Sequence, residues 1–277
     1  MADRYAVFGN PIKHSKSPRI HAAFAEQTGE AVDYRAQLVE LGTGVFEQQV
    51  EQFFAEGGKG LNITVPFKQN AWRMASWRSA AAERAGAVNT LYRNELGTLC
   101  GDNTDGVGLV CDLQNNNGIS LKGARVLMLG AGGAVRGVLE PFLKAGAVEI
   151  VIANRTVAKA QELVELFSDL GQLSACGFED IEARAFDVIV NGTSASLQGE
   201  LPPLPDAIVG ADSACYDMMY GAQPTPFCNW ASQRGAAKVI DGLGMLIEQA
   251  AESFRIWRGV KPQTPELIAQ IRAELSG

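Results

Sequence analysis

The feature that most narrows the folds open to this chain is the turn Gly130-Ala131-Gly132-Gly133-Ala134. It follows the apolar run Val126-Leu127-Met128-Leu129 directly and precedes a helix-like segment. A strand that runs into glycines and then a helix brings backbone N–H groups close to an anion, at the positive end of a helix dipole. Gly130 allows the tight turn, and Gly132 or Gly133 lets phosphates approach. The third glycine of G-x-G-x-x-G is replaced by Val135, so a plain glycine turn in an α/β protein stays open. The next apolar run, Glu149-Ile150-Val151-Ile152-Ala153, ends in Asn154-Arg155-Thr156, with Lys159 one helical turn later. NAD sites place an acid about 20 residues beyond the glycines to bond the ribose 2′-OH. Two cations and no acid point to a 2′-phosphate, and hence to NADP(H). The alternative is a helix capped by Asn154 or Thr156, with Arg155 and Lys159 simply solvated.

The same alternation of strand-like and helix-like segments extends over the chain. Tyr5-Ala6-Val7-Phe8 stops at Gly9-Asn10-Pro11. Pro18 opens an amphipathic stretch that ends near Gly29. Leu61-Asn62-Ile63-Thr64-Val65 alternates like a strand, and Phe186-Asp187-Val188-Ile189-Val190 ends at Asn191-Gly192. This pattern predicts an α/β protein with parallel sheet. The glycine turn starts a fresh βαβ unit well inside the chain, after the loop-like Asn115-Asn116-Asn117-Gly118, so two domains are expected. The last 35 residues read as helical, with Leu243, Leu246, Ile247, Ala250, Phe254 and Trp257 on one face.

Composition removes other function classes. With 24 basic against 31 acidic residues the net charge is −7, so neither a nucleic-acid footprint nor an anionic-membrane surface is expected. Cys100, Cys111, Cys176, Cys215 and Cys228 are odd in number and contain no CxxC pair. They read as buried thiols of a reducing compartment, not as disulfides or a metal site. Only His14 and His21 are present, and no metal is expected. No apolar stretch reaches about 18 residues, and Met1-Ala2-Asp3-Arg4 leads straight into a strand without a signal-peptide core. A cytoplasmic protein is the expectation.

Several polar residues of the first third are hard to place structurally. Gly9-Asn10-Pro11-Ile12-Lys13-His14-Ser15-Lys16-Ser17-Pro18 runs from a strand end into a helix, where open α/β sheets bind ligands. Ser17 is equally well placed as an N-cap, whereas Ser15 has no such role and is a candidate ligand contact. Asn62 and Thr64 share one face of a strand. Lys68, two residues after Pro66, falls in the first turn of the next helix. A cation there opposes the helix dipole at a cost of about 0.3–1 kcal/mol, so it is a candidate for chemistry. Asp105 in Gly101-Asp102-Asn103-Thr104-Asp105-Gly106 either caps the following helix, Val107 to Leu113, or pairs with Lys68. Spacing does not decide between them.

Nine runs in register, GNPIKHSKSP (9–18), LNITVPFK (61–68), GAVNT (86–90), GDNTDG (101–106), GAGGA (130–134), NRT (154–156), YDMMY (216–220), TPF (225–227) and DGLGML (241–246), resemble the shikimate dehydrogenase family over nearly the whole chain. The resemblance implies reversible reduction of 3-dehydroshikimate to shikimate with NADPH, in aromatic amino-acid biosynthesis. It implies an N-terminal α/β substrate domain, 1–102, completed by C-terminal helices 243–277. A Rossmann-like NADP-binding domain, 103–242, is expected across a cleft from it, in a monomer or homodimer. By motif match Lys68 and Asp105 are the catalytic pair. Ser15, Ser17, Asn62, Thr64, Asn89, Tyr220 and Gln249 contact substrate. Gly130, Ala131, Gly132, Gly133, Ala134, Asn154, Arg155, Thr156 and Lys159 hold the cofactor, with Met218 and Gly242 near the nicotinamide. Lys159 stands where many relatives carry Arg, and Lys lacks the bidentate fork. The stretch Met74 to Ala82 also departs from the family's acidic, Leu-containing pattern. A quinate/shikimate paralogue of relaxed preference is therefore one alternative, and a non-catalytic NADP-binding sensor another.

Overall fold

The computed structural model describes residues 2–195 and 199–277. Its contacts divide the chain into two compact units, Met1–Asp105 with Ile247–Leu267 and Gly106–Leu246 with Ile268–Gly277.

In the first unit the chain runs β1 (Asp3–Gly9), α1 (Ser17–Thr28), β2 (Val32–Leu38), α2 (Val45–Ala55), β3 (Gly60–Ile63), α3 (Lys68–Met74), β4 (Trp77–Arg78), α4 (Ala80–Ala85), β5 (Thr90–Arg93) and β6 (Leu99–Asp102). The sheet order is β2-β1-β3-β5-β6-β4. Strand β1 pairs parallel with β2 and β3, but β5 runs antiparallel to both β3 and β6. The sheet is mixed: the parallel pairs that strand–helix alternation predicts are joined by one antiparallel strand. The cause is local. Asn94 Oδ1 accepts the N–H groups of Leu96 and Thr98, and Gly97 takes φ +76°, which closes a hairpin between β5 and β6. Period two then sorts the side chains. Ala6, Phe8, Leu61 and Ile63 pack with Phe46, Val50 and Phe53 of α2, while Tyr5 and Val7 face Tyr34 and Trp257.

Pro18 lies in the first turn of α1, but Ser17 is inside the helix and not its cap. Lys16 holds that position and makes no side-chain cap bond. The Ser17 hydroxyl is instead drawn to the buried Tyr34 phenol, to which it is hydrogen-bonded.

Helix α5 (Asp105–Cys111) passes into a π-helical turn, Asp112–Asn116. The sequence predicts an α-helix to Leu113 and a loop over 115–118. Asp112, only 2% exposed, accepts from Asn116 at 3.0 Å, Asn117 at 3.2 Å and Tyr216 at 2.7 Å. Satisfying this buried carboxylate winds the asparagines into the wider turn.

Next come β7 (Arg125–Leu129), α6 (Gly133–Lys144), β8 (Glu149–Ala153), α7 (Val157–Phe167), β9 (Leu173–Cys176), β10 (Phe186–Asn191), β11 (Val209–Asp217), α8 (Pro226–Gln233) and β12 (Lys238–Ile240). All pairs in the sheet β12-β11-β10-β7-β8-β9 are parallel. This is the doubly wound dinucleotide-binding order, with its switch point between β7 and β10. The apolar runs serve both faces. Val126, Met128, Ile150 and Ile152 pack with Val135, Val138 and Phe142 of α6. Leu127, Leu129, Val151 and Ala153 pack with Phe227 and Trp230 of α8.

The C-terminal helical stretch is two helices, α9 (Leu243–Arg258) and α10 (Pro265–Ser276). Gly259 at φ +74° and Pro262 separate them. Arg272 of α10 donates to the Gly221 carbonyl and the Asp241 carboxylate, which places the chain's last residues in the second unit. Among the thiols Cys100, Cys215 and Cys228 are buried and Cys111 and Cys176 half-buried; all five are free. No helix among the described residues is long and apolar enough to cross a membrane, and no group of three potential metal ligands occurs among them.

Candidate active site

In the first unit, β3 ends where α3 begins, and Lys68 is the first residue of α3. The helix dipole disfavours a cation there, and a carboxylate answers it. Lys68 Nζ lies 2.5 Å from Asp105 Oδ2, with the side chains 30% and 14% exposed. Asp105 does not cap its own helix. Asn103 Oδ1 accepts the Asp105 N–H at 3.1 Å, which leaves the carboxylate to Lys68 and Asn89.

Asn89 is 3% exposed and engaged on both sides of its amide. Its Nδ2 donates to Asp105 Oδ1 at 2.8 Å and to Thr104 Oγ1 at 2.9 Å. Its Oδ1 accepts from the Thr104 N–H at 3.0 Å and the Thr90 hydroxyl at 2.9 Å. Gln249 Oε1, from α9, lies 3.3 Å from Asn89 Nδ2. Asn62, on β3, accepts from the Tyr34 hydroxyl at 2.7 Å and donates to Ser253 Oγ at 3.0 Å.

Lys68, Asp105, Asn89, Gln249 and Asn62 thus fall in one hydrogen-bonded set, to which Ser17 is joined through Tyr34. Ser15 Oγ accepts the Ser17 N–H at 3.3 Å. Thr64, just past β3, is anchored by its N–H on Phe8 O at 2.9 Å, and its methyl fills the space beside Gly9. Tyr220 follows β11 in the second unit, where burial, and then the charge of Asp241, raise its phenol pKa. The sequence reading missed Tyr34, Thr90, Thr104 and Ser253. A signal existed for Ser253, a hydroxyl on the apolar face of α9 between Ala250 and Trp257.

In the second unit, β7 delivers the chain into Gly130, whose φ of +103° only glycine holds without strain. Helix α6 starts at Gly133 with Gly132 at the cap and no side-chain cap bond, so its first N–H groups face outward unscreened. A groove of about 1030 Å³ opens over this turn, at the upper end of the size for a bound cofactor. Its lining includes Gly130 to Ala134, Asn154 to Thr156 and Lys159, together with Thr193, Phe178 and Met219, which the sequence reading did not single out. Met218 is 6% exposed, and its carbonyl would lie 2.1 Å from a Cβ at Gly242, so those two segments are in contact. Thr156 sits at the cap position of α7 without a cap bond, and Asn154 donates to the Thr156 carbonyl at 2.8 Å. Thr156 therefore does not cap α7 through its side chain, and the Asn154 amide is spent on the Thr156 carbonyl. Arg155 and Lys159 are exposed.

The glycines fit a dinucleotide in a testable way. A Cβ at Gly132 or Gly133 meets no protein atom within 4 Å; it would project into the groove. Gly132→Ala is therefore expected to leave the melting temperature unchanged and to weaken NADPH binding about tenfold or more, or about 1.4 kcal/mol. Fluorescence titration with NADPH reads this, and an unchanged affinity would take the turn out of the cofactor site.

A doubly wound dinucleotide fold with Asn154-Arg155-Thr156 in place of an acid after β8, and a second α/β unit carrying a lysine–carboxylate pair, define an NADP-dependent oxidoreductase with a separate substrate domain. Family models agree along the chain. The shikimate dehydrogenase substrate binding domain matches residues 7–91, shikimate / quinate 5-dehydrogenase residues 112–198, and the shikimate 5′-dehydrogenase C-terminal domain residues 242–272. The chain belongs to the shikimate dehydrogenase family. It is 61% identical to the shikimate dehydrogenase (NADP(+)) of Alkalilimnicola ehrlichii, over 99% of this chain and 100% of that one. An Ael1 enzyme from Pseudomonas putida superposes with TM-score 0.92 at 48% identity, covering 97% of this chain and 98% of the other. The Thermus thermophilus shikimate 5-dehydrogenase in complex with NADP(H) and shikimate does so with TM-score 0.85 at 33% identity, covering 99% of each.

Proposed function

We propose that this chain catalyses the reversible NADPH-dependent reduction of 3-dehydroshikimate to shikimate, with Lys68 and Asp105 as its proton-transfer pair. The observation that carries the reading is the 2.5 Å contact between Lys68 and Asp105, with the lysine still partly open to solvent. NADP(H), held by the glycine turn and the Asn154–Lys159 segment, supplies hydride exchange at the substrate carbon.

The remaining work is the chain's own. In reduction the Lys68 ammonium hydrogen-bonds the carbonyl oxygen and gives it a proton; in oxidation the Lys68 amine takes that proton back. Asp105 holds the lysine in place, and Asn89 fixes Asp105 from the other side. The assignments of Ser15, Ser17, Asn62, Thr64, Asn89, Tyr220 and Gln249 to the substrate, and of Met218 and Gly242 to the nicotinamide end, belong to the same proposal. A carboxylate and several hydroxyls on the substrate match the amide and hydroxyl donors of this set.

The test is NADPH absorbance with purified chain, offering shikimate or quinate with NADP⁺ or NAD⁺. Fast turnover of shikimate with NADP⁺ is expected. A chain that binds NADPH but oxidises neither acid would overturn the assignment, and faster turnover of quinate would move the substrate. Arg155 supplies a prediction of its own. A charge-assisted hydrogen bond contributes about 1.5–3 kcal/mol, so Arg155→Ala should raise the KM for NADP⁺ about ten- to hundredfold and leave that for NAD⁺ nearly unchanged. Equal effects on the two cofactors would remove Arg155 from the 2′-phosphate.

A further inference from the structure

We propose that Ser253 is a positioning residue, whose hydroxyl proton fixes the orientation of the Asn89 amide and, through it, of Asp105. The proposal rests on the reading of Lys68 and Asp105 as the proton-transfer pair.

Ser253 is wholly buried on α9. Its Oγ lies 3.0 Å from Asn62 Nδ2, 2.7 Å from Thr90 Oγ1, 3.1 Å from the Gln249 carbonyl and 3.3 Å from Thr104 Oγ1. One hydroxyl therefore joins β3, β5, the turn before α5 and the helix that bears Gln249. Counting hydrogens gives these contacts a direction. Asn62 Nδ2 can only donate, so Ser253 Oγ accepts from it. The Thr90 hydroxyl donates to Asn89 Oδ1 at 2.9 Å, so its oxygen is left to accept the Ser253 proton at 2.7 Å. The Gln249 carbonyl, one turn earlier on α9, is within reach of both the Thr104 hydroxyl at 2.9 Å and the Ser253 hydroxyl at 3.1 Å; we place the Ser253 proton on Thr90, its shortest contact at 2.7 Å.

Each donor then passes to the next, from Asn62 through Ser253 and Thr90 to Asn89 Oδ1. With the oxygen of its amide held on Thr90 and the Thr104 N–H, Asn89 must turn its Nδ2 to Asp105. An amide flip would bring an oxygen against the carboxylate. Without the Ser253 proton, the Thr90 hydroxyl loses its shortest contact and keeps those to Asn89 and Asn62, and Asn62 loses one of its acceptors.

The test compares wild type, Ser253→Ala, Thr90→Val and the double variant, with rates normalised to folded protein. Misplacement of about 1 Å costs up to about 10²-fold, so Ser253→Ala should lower kcat about tenfold, displace the pH profile of kcat, and change the KM for NADP⁺ by less than about twofold. Thr90→Val, close to isosteric, should do the same. The double variant should be no slower than the slower single one, because the two hydroxyls act in series. A kcat and pH profile matching wild type in Ser253→Ala would overturn the proposal. So would strictly multiplicative losses in the double variant, or a loss that only follows the folded fraction. If Ser253→Ala fails to fold, Thr90→Val decides by the same kcat and pH readout. A wild-type chain without shikimate turnover would defeat the underlying functional reading instead, so the two failures are distinguishable.

Discussion

Lys68→Ala is expected to lower kcat for shikimate oxidation by about 10²–10⁴-fold, the usual contribution of a positioned acid–base group. That is about 3–5 kcal/mol of barrier. The KM for NADP⁺ should hardly move, because the glycine turn and Arg155 belong to the other unit. Stability should change by less than about 1 kcal/mol, since the Lys68–Asp105 pair is partly exposed and solvent screens it. Asp105→Asn should also slow turnover. Asp105 receives donors on both oxygens, from Asn89 and from Lys68, and an amide accepts on one only. Steady-state kinetics beside a denaturation curve for each variant checks all of this. A kcat within a few fold of wild type in Lys68→Ala would remove the lysine from the chemistry.

The second large effect is on acid stability and comes from His21. Its ring is 0% exposed and stacked on Tyr34, with centroids 4.1 Å apart and planes 7° apart; Phe24, Phe254 and Trp257 surround it. Burial lowers its pKa from 6.5 to about 3, against a smaller opposite influence of Asn62. Neither ring nitrogen has a partner of full hydrogen-bond geometry, which agrees with burial as the stronger influence. The folded chain therefore keeps His21 neutral at a pH where the unfolded chain protonates it. Its contribution to stability is complete above about pH 6.5 and is lost as pH falls toward 3, at up to about 1.4 kcal/mol per pH unit. The total is on the order of 5 kcal/mol, a large part of a typical domain's stability. Denaturation of wild type and His21→Leu at pH 7 and pH 4.5 isolates it from the carboxylates. Wild type should lose about 2–3 kcal/mol more than the variant. Parallel losses would show that His21 is reached by water in the folded state.

The parts of the site that were legible in the sequence are those whose local chemistry runs against stability or declares a backbone shape. The turn at 130–134 announces itself because a strand that ends in glycines has few other uses. Lys68 stands out because a cation at the start of a helix is disfavoured, and Arg155 because a ribose-binding acid is missing where it is expected. The pairing of Lys68 with Asp105 was not legible from spacing, since they lie 37 residues apart and the chain has other acids; only the family resemblance selected it. Tyr34, Thr90, Thr104 and Ser253 were hidden for another reason. A hydroxyl in an apolar stripe reads as a tolerated substitution until its partners are known, and these partners come from distant strands and helices. Of the two roles open to Ser17 in the sequence, the cap is excluded because Lys16 takes that position, a shift of one residue that Ser before Pro does not reveal in isolation. The π-helical turn at Asp112 likewise depends on Tyr216, which lies 104 residues away.

The most direct measurement is a single-turnover experiment at saturating shikimate and NADP⁺, following NADPH formation in wild type and Lys68→Ala side by side. Saturation takes binding out of the comparison and leaves the proton and hydride steps. A rapid NADPH phase in wild type and one slower by about 10²-fold or more in the variant, with calorimetric affinity for shikimate within a few fold, is the expected result. Equal phases in the two proteins would contradict the assignment of Lys68 as the group that moves the proton.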